Sequence, residues 1–143
     1  MKNTEQELIR FISFKIDGEE KLVRLIDTLE ITDGVLCDTY AFEGDKTKDL
    51  GIIKMKPGSR TPLQKVLKGD KTIEGYISGK GKLVITKKDG KREVHSVDNT
   101  SEAFSTTIEI GESMQWEADQ DSNLVAYEVC FPPYENGRFE NLT

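Results

Sequence analysis

Apolar and polar residues alternate over short stretches of the chain and nowhere hold a longer rhythm. FISFKI (residues 11–16), VLCDTYAF (35–42), GIIKMK (51–56), TIEGYIS (72–78), KLVITK (82–87), FSTTIEI (104–110) and LVAYEVC (124–130) are rich in Ile, Val, Thr, Tyr or Phe and stop at turn residues. That pattern predicts strands. Apolar residues also flank Lys88, Asp89, Gly90 and Lys91, and Asp-Gly accepts the positive φ angles of tight turns, so a hairpin is expected there. TEQELIR (4–10) and EKLVRLIDTLE (20–30) read as either helix or strand. The sum is an all-β chain with little helix, of the sandwich or barrel kind. No repeat, low-complexity tract or Pro/Gly/Ser-rich linker divides it.

With 143 residues, one domain with a real core is expected, burying roughly two-thirds of the unfolded surface. A composition of 36% hydrophobic and 32% charged residues, with mean hydropathy −0.52, excludes the disordered and membrane classes. The longest apolar runs are a few residues long, against the ~20 that a membrane span needs. The opening MKNTEQELIR is charged where a signal peptide would be apolar, so a cytoplasmic location is expected. A net charge of −6 and a pI near 4.9 argue against nucleic acid as a partner, since phosphates need a basic face. Cys37 and Cys130 lie far apart, excluding a zinc ribbon or CxxC site, and are read as small buried hydrophobes.

LGIIKMKPGSRTP, EGYISGKGKLVI and TTIEIGESMQWEADQDSNLVAYEVCFPPY together resemble the strands and turns of the cupins. This superfamily builds a small double-stranded β-helix, or jelly-roll, barrel of the RmlC-like type, with a ligand site in the barrel mouth. The resemblance implies N-terminal strands over residues 1–49, open to exchange in a homodimer, a barrel over 50–134, and a tail over 135–143. Counted from Gly58, the family's paired metal-binding histidines fall on Gln64 and Val66, and its glutamate place on Asp70 or Lys71. Counted from Gly111, its last histidine falls on Ser122. Valine cannot ligate, and amide and hydroxyl are weak donors for the borderline metals that prefer imidazole. The expectation is a barrel without a metal, calling for no cofactor.

If Gln64 and Val66 face the cavity, the next inner strand offers either Glu74, Tyr76 and Ser78 or Ile73, Gly75 and Ile77. Family geometry favours the polar set inside. Glu74 then becomes the candidate acid-base residue, with its pKa raised by desolvation and Tyr76 beside it; an outer-face ion pair is the alternative. Gln64, Val66, Ser78, Trp116, Ser122 and Tyr127 complete the candidate ligand site. Trp116, in the corner MQWEAD, either closes the mouth or packs in the core. On the returning strand alternation lets only one of Tyr127 and Glu128 face inward, and Tyr127 is favoured if Ser122 faces inward. His95 is read as an edge-strand residue, and the basic cluster from Lys80 to Arg92 as a solvated edge that discourages aggregation.

Three functions follow as expectations: a metal-independent protein binding a small polar metabolite, a metal-independent sugar or keto-acid isomerase, epimerase or lyase using Glu74, and a protein-interaction module.

Overall fold

The computed structural model describes residues 11–16, 18–100, 103–135 and 137–142, and its regular structure there is entirely β. In chain order the strands are β1 (Phe11–Ile16), β2 (Glu19–Thr32), β3 (Val35–Phe42), β4 (Asp45–Met55), β5 (Gln64–Val66), β6 (Lys71–Gly79), β7 (Gly81–Thr86), β8 (Arg92–Val97), β9 (Ser105–Ile108), β10 (Ser113–Ala118), β11 (Leu124–Phe131) and β12 (Phe139–Asn141). Seven form a sheet in the order β1-β2-β3-β4-β11-β6-β9, and five form a second in the order β12-β5-β10-β7-β8. The chain's first three strands therefore pair within its own sheet, side by side onto β4. Residues 4–10, the other stretch readable as helix or strand, lie outside the described residues.

The expected hairpin joins β7 to β8: Gly90 has φ 88°, and the amide of Lys87 donates to the carbonyl of Lys91 at 2.8 Å. The ambiguous stretch 20–30 is strand, paired on both sides by β1 and β3. Its alternation is broken by a bulge at Ile26: Val23 and Leu25 lie opposite Phe42 and Tyr40, but Asp27 and Leu29 lie opposite Thr39 and Cys37. The inward parity thus changes midway, which is what a β-bulge does to a period of two. MQWEAD proves to be mostly strand β10, not a corner.

The middle of the seven-stranded sheet, at β3, β4 and β11, is buried on both faces. On the inner face Val35, Ile53, Leu124 and Ala126 meet Val66, Leu83, Ile85 and Trp116 of the other sheet. On the outer face Val23, Tyr40, Leu50, Ile52 and Val129 form a second cluster, flanked by Phe14, Ile73 and Tyr127. Each buried aliphatic side chain contributes roughly 1.5–3 kcal/mol, so β4 and β11, between two cores, are the best-anchored part of the site.

Candidate functional site

One row of residues crosses the inner face as direct neighbours on adjoining strands: Asp27, Thr39, Gly51, Glu128 and Glu74. A cavity of about 1000 Å³ opens in front of it, toward β5 and β12 of the second sheet. Its lining is chiefly apolar, including Ile26, Leu29, Cys37, Ile53, Cys130 and Phe139, with Thr39, Gln64 and Glu128 among the polar groups.

The row ends in two carboxyls set against each other. The indole N–H of Trp116 donates to Glu74 Oε1 at 2.7 Å. Glu74 is 1% exposed. Its Oε2 and Oε1 of Glu128 are both buried with no donor from elsewhere, while the two carboxyls are hydrogen-bonded to each other. Two carboxylates are acceptors only, so this bond requires a proton between them. Burial pushes both groups up; the negative charge of Glu128 adds to the rise at Glu74, which stands well above the usual carboxylate range. Glu128 is pushed to about 7, first by burial and then by the charge of Asp49, against the lowering effect of the bond from Glu74. Glu74 therefore holds the proton and donates it, and Glu128 accepts. The hydrogen-bond chain runs from Trp116 through Glu74 to Glu128, which is half-buried and faces the cavity.

The far end of β11 is held by Arg138, 1% exposed. Its guanidinium donates to the carbonyls of Lys71 (2.6 Å), Pro132 (2.8 Å) and Phe131 (3.1 Å) and to Thr72 Oγ1 (3.3 Å). Asp49 accepts the backbone N–H of Tyr134 at 2.9 Å, and burial raises its pKa. Burial pushes the Cys37 thiol up to about 12 and raises that of Cys130 too. Both therefore remain thiols at neutral pH and serve as small wall groups.

The candidate residues disperse. Glu74 and Tyr76 point inward, but neither lines the cavity; the Tyr76 hydroxyl donates to the Gly79 carbonyl at 2.7 Å. Ser78 is exposed, because a register shift between Val125 and Ala126 sets it opposite outward-facing Val125. Gln64 lines the rim, its amide donating to Asn141 Oδ1 at 3.0 Å. Val66 is 1% exposed and Trp116 is 1% exposed, both packed in the core. Ser122 sits in the turn before β11 and donates to the Asn123 carbonyl. The inward placement of Tyr127 is corrected: its ring packs edge-on to Phe14 on the outer face, centroids 5.1 Å apart. It covers Gly75, where a Cβ would come 2.1 Å from the ring. Glu128 takes the inward position and is the functional candidate that the sequence pattern missed. His95 lies on edge strand β8 beside Phe104, centroids 4.9 Å apart.

The positions that match the family's metal ligands do not fit a metal: Val66 offers no donor, Gln64 is engaged with Asn141, and Ser122 lies at a turn bonded to its neighbour. Among the described residues no group of three or more His, Cys, Asp or Glu is arranged to hold a metal ion.

No protein-family model matches the chain, and no curated protein does. Among solved structures it is similar to a cupin-2 domain protein from Rhodospirillum rubrum, at 16% identity and TM-score 0.63 over 91% of this chain and 79% of that one. It is also similar to the capsular polysaccharide assembling protein CapF from Staphylococcus aureus, at 13% identity and TM-score 0.67 over 82% of this chain and 32% of that one. Bacillus subtilis oxalate decarboxylase is similar at 20% identity and TM-score 0.65, over 85% and 32% of the two chains. The chain spans about a third of the length of those last two proteins. Two facing antiparallel sheets with these neighbours define the cupin fold, and the chain has it. Among the described residues no helix is long and apolar enough to cross a membrane.

Proposed function

We propose that this is a metal-independent, cupin-like protein that binds a small molecule in the inner-face cavity, with Glu128 as its polar anchor. The observation that carries the proposal is the half-buried carboxylate of Glu128, set in a mostly apolar wall of a cavity of about 1000 Å³. Small-molecule sites commonly combine a volume of roughly 300–1,000 Å³ with apolar walls and a few orienting polar groups. The lining alters the sequence expectation of a polar pocket: the ligand brings an apolar body and a limited polar end.

The test is a thermal shift of the full chain against a metabolite panel, with and without chelator. A ligand at about a hundred times its Kd should stabilise the fold by about 2.7 kcal/mol, a rise of several degrees that chelator leaves in place. A panel that moves nothing, or a shift that chelator abolishes, overturns the reading.

A second reading, an acid-base isomerase, epimerase or lyase, is favoured by the proton held between Glu74 and Glu128. In it Glu128 touches the substrate and Glu74, buried behind it, is the proton reserve. Glu128→Gln should then abolish turnover while Glu74→Gln lowers it less; equal loss in both would refute that division of labour.

A further inference from the structure

We propose that the cavity selects ligands carrying a protonated amine, which docks against the cavity-facing oxygen of Glu128. This rests on the binding function proposed above and names the chemical class it serves. Because Glu74 donates to Glu128, the carboxyl that reaches the cavity is an acceptor only. A ligand must supply the donor, and a charged donor makes the strongest bond.

The charges around the pair favour a cation. Glu74 on β6 is a neutral acid, and Cys37 on β3 and Cys130 on β11 are neutral thiols. Asp49 on β4 carries a negative charge that the buried guanidinium of Arg138 offsets. Arg138 spends its bonds on carbonyls and one hydroxyl and makes none to Glu128; its charge lowers the Glu128 pKa, but burial and the charge of Asp49 outweigh it. Of three cations at the rim, two are already paired, Arg24 at 3.4 Å from Glu43 and Lys48 at 2.9 Å from Asp45, and Lys46 is exposed to solvent. Glu128 is thus left with no ion-paired cation in a half-buried wall, and exposed Asp27 adds a second negative charge to the lining. An anionic ligand would meet repulsion there, and a neutral acceptor would find no donor on Glu128. Ile26, Leu29, Ile53 and Phe139 suit the hydrocarbon part of an amine.

The experiment uses calorimetry on the full chain with three probes of one shape: 2-phenylethylamine, 2-phenylethanol and 3-phenylpropanoate. The amine should bind at least about tenfold more tightly than either of the others, and Glu128→Gln should erase most of that advantage while weakening the alcohol far less. Should the variant fail to fold, the wild type carries the test: protonating Glu128 between about pH 8 and about pH 5.5 should weaken the amine about tenfold and the alcohol far less. Equal or tighter binding of alcohol or carboxylate, or an amine affinity indifferent to pH, overturns the amine assignment and leaves the binding function standing. If none of the three binds, the assignment also falls. The metabolite panel then shows whether the binding function falls with it.

Discussion

Glu74→Gln tests the shared proton directly. The amide keeps the shape, accepts the Trp116 N–H, and donates to Glu128 with its own N–H, so both hydrogen bonds survive. What disappears is an ionisable group. In the unfolded chain Glu74 loses its proton near pH 4.5, whereas in the folded protein it retains it far above that. The folded state thus binds the extra proton, and wild-type stability from this group is full below about pH 4.5 and declines as pH rises. Each pH unit over which the unfolded chain has lost this proton and the folded protein keeps it costs about 1.4 kcal/mol. Glutamine carries no such penalty, so its stability relative to wild type should climb steadily as pH rises above about 4.5. Urea unfolding followed by the fluorescence of Trp116, the only tryptophan, would measure both proteins at each pH. The difference between them cancels the other titrating groups. Parallel curves, or a variant that loses ground as pH rises, would refute the protonated pair.

Further outcomes follow from the same contacts. Trp116→Phe keeps most of the ring but strips Glu74 Oε1 of its donor, and should cost about 1–3 kcal/mol by chemical denaturation. Arg138→Met should cost about 3 kcal/mol, because the carbonyls of Lys71, Phe131 and Pro132 lose their donor, and Arg138→Lys should not restore the forked contact. Gly75→Ala drives a methyl into the Tyr127 ring and should cost about 1–3 kcal/mol; combined with Tyr127→Ala, its cost should largely vanish in a double-mutant cycle.

Much of the fold was legible because strands β3, β6, β7 and β11 carry dense β-branched and aromatic runs between turn residues. The Asp89–Gly90 hairpin was legible from its turn chemistry alone. β2 was not, since the bulge at Ile26 switches the inward positions midway and leaves no continuous period of two. The site was obscured for a related reason. β11 is buried on both faces, so Leu124, Ala126 and Cys130 on one side and Val125, Tyr127 and Val129 on the other are all apolar or aromatic. Alternation then cannot say whether Tyr127 or Glu128 faces in. A signal was present in Gly75: a residue without a side chain beside Glu74 makes room for an aromatic ring across the strand, which puts Tyr127 out and Glu128 in. Of the expected inward set, Glu74 and Tyr76 face in and Ser78 does not; that Trp116 rather than solvent meets Glu74 depends on contact between sheets, which no local pattern encodes.

Tyr127 and Gly75 are the immediate chain neighbours of Glu128 and Glu74, on the reverse side of the same two strands. The ring resting on Gly75 therefore helps set how closely the backbones beneath the acid pair approach. Changes at Tyr127, Phe14 or Ile73 would act as an adjusting screw on the pair's geometry without altering any atom that a ligand meets. Selection, or a protein engineer, can thus retune acidity from the back of the sheet while leaving the shape of the front intact.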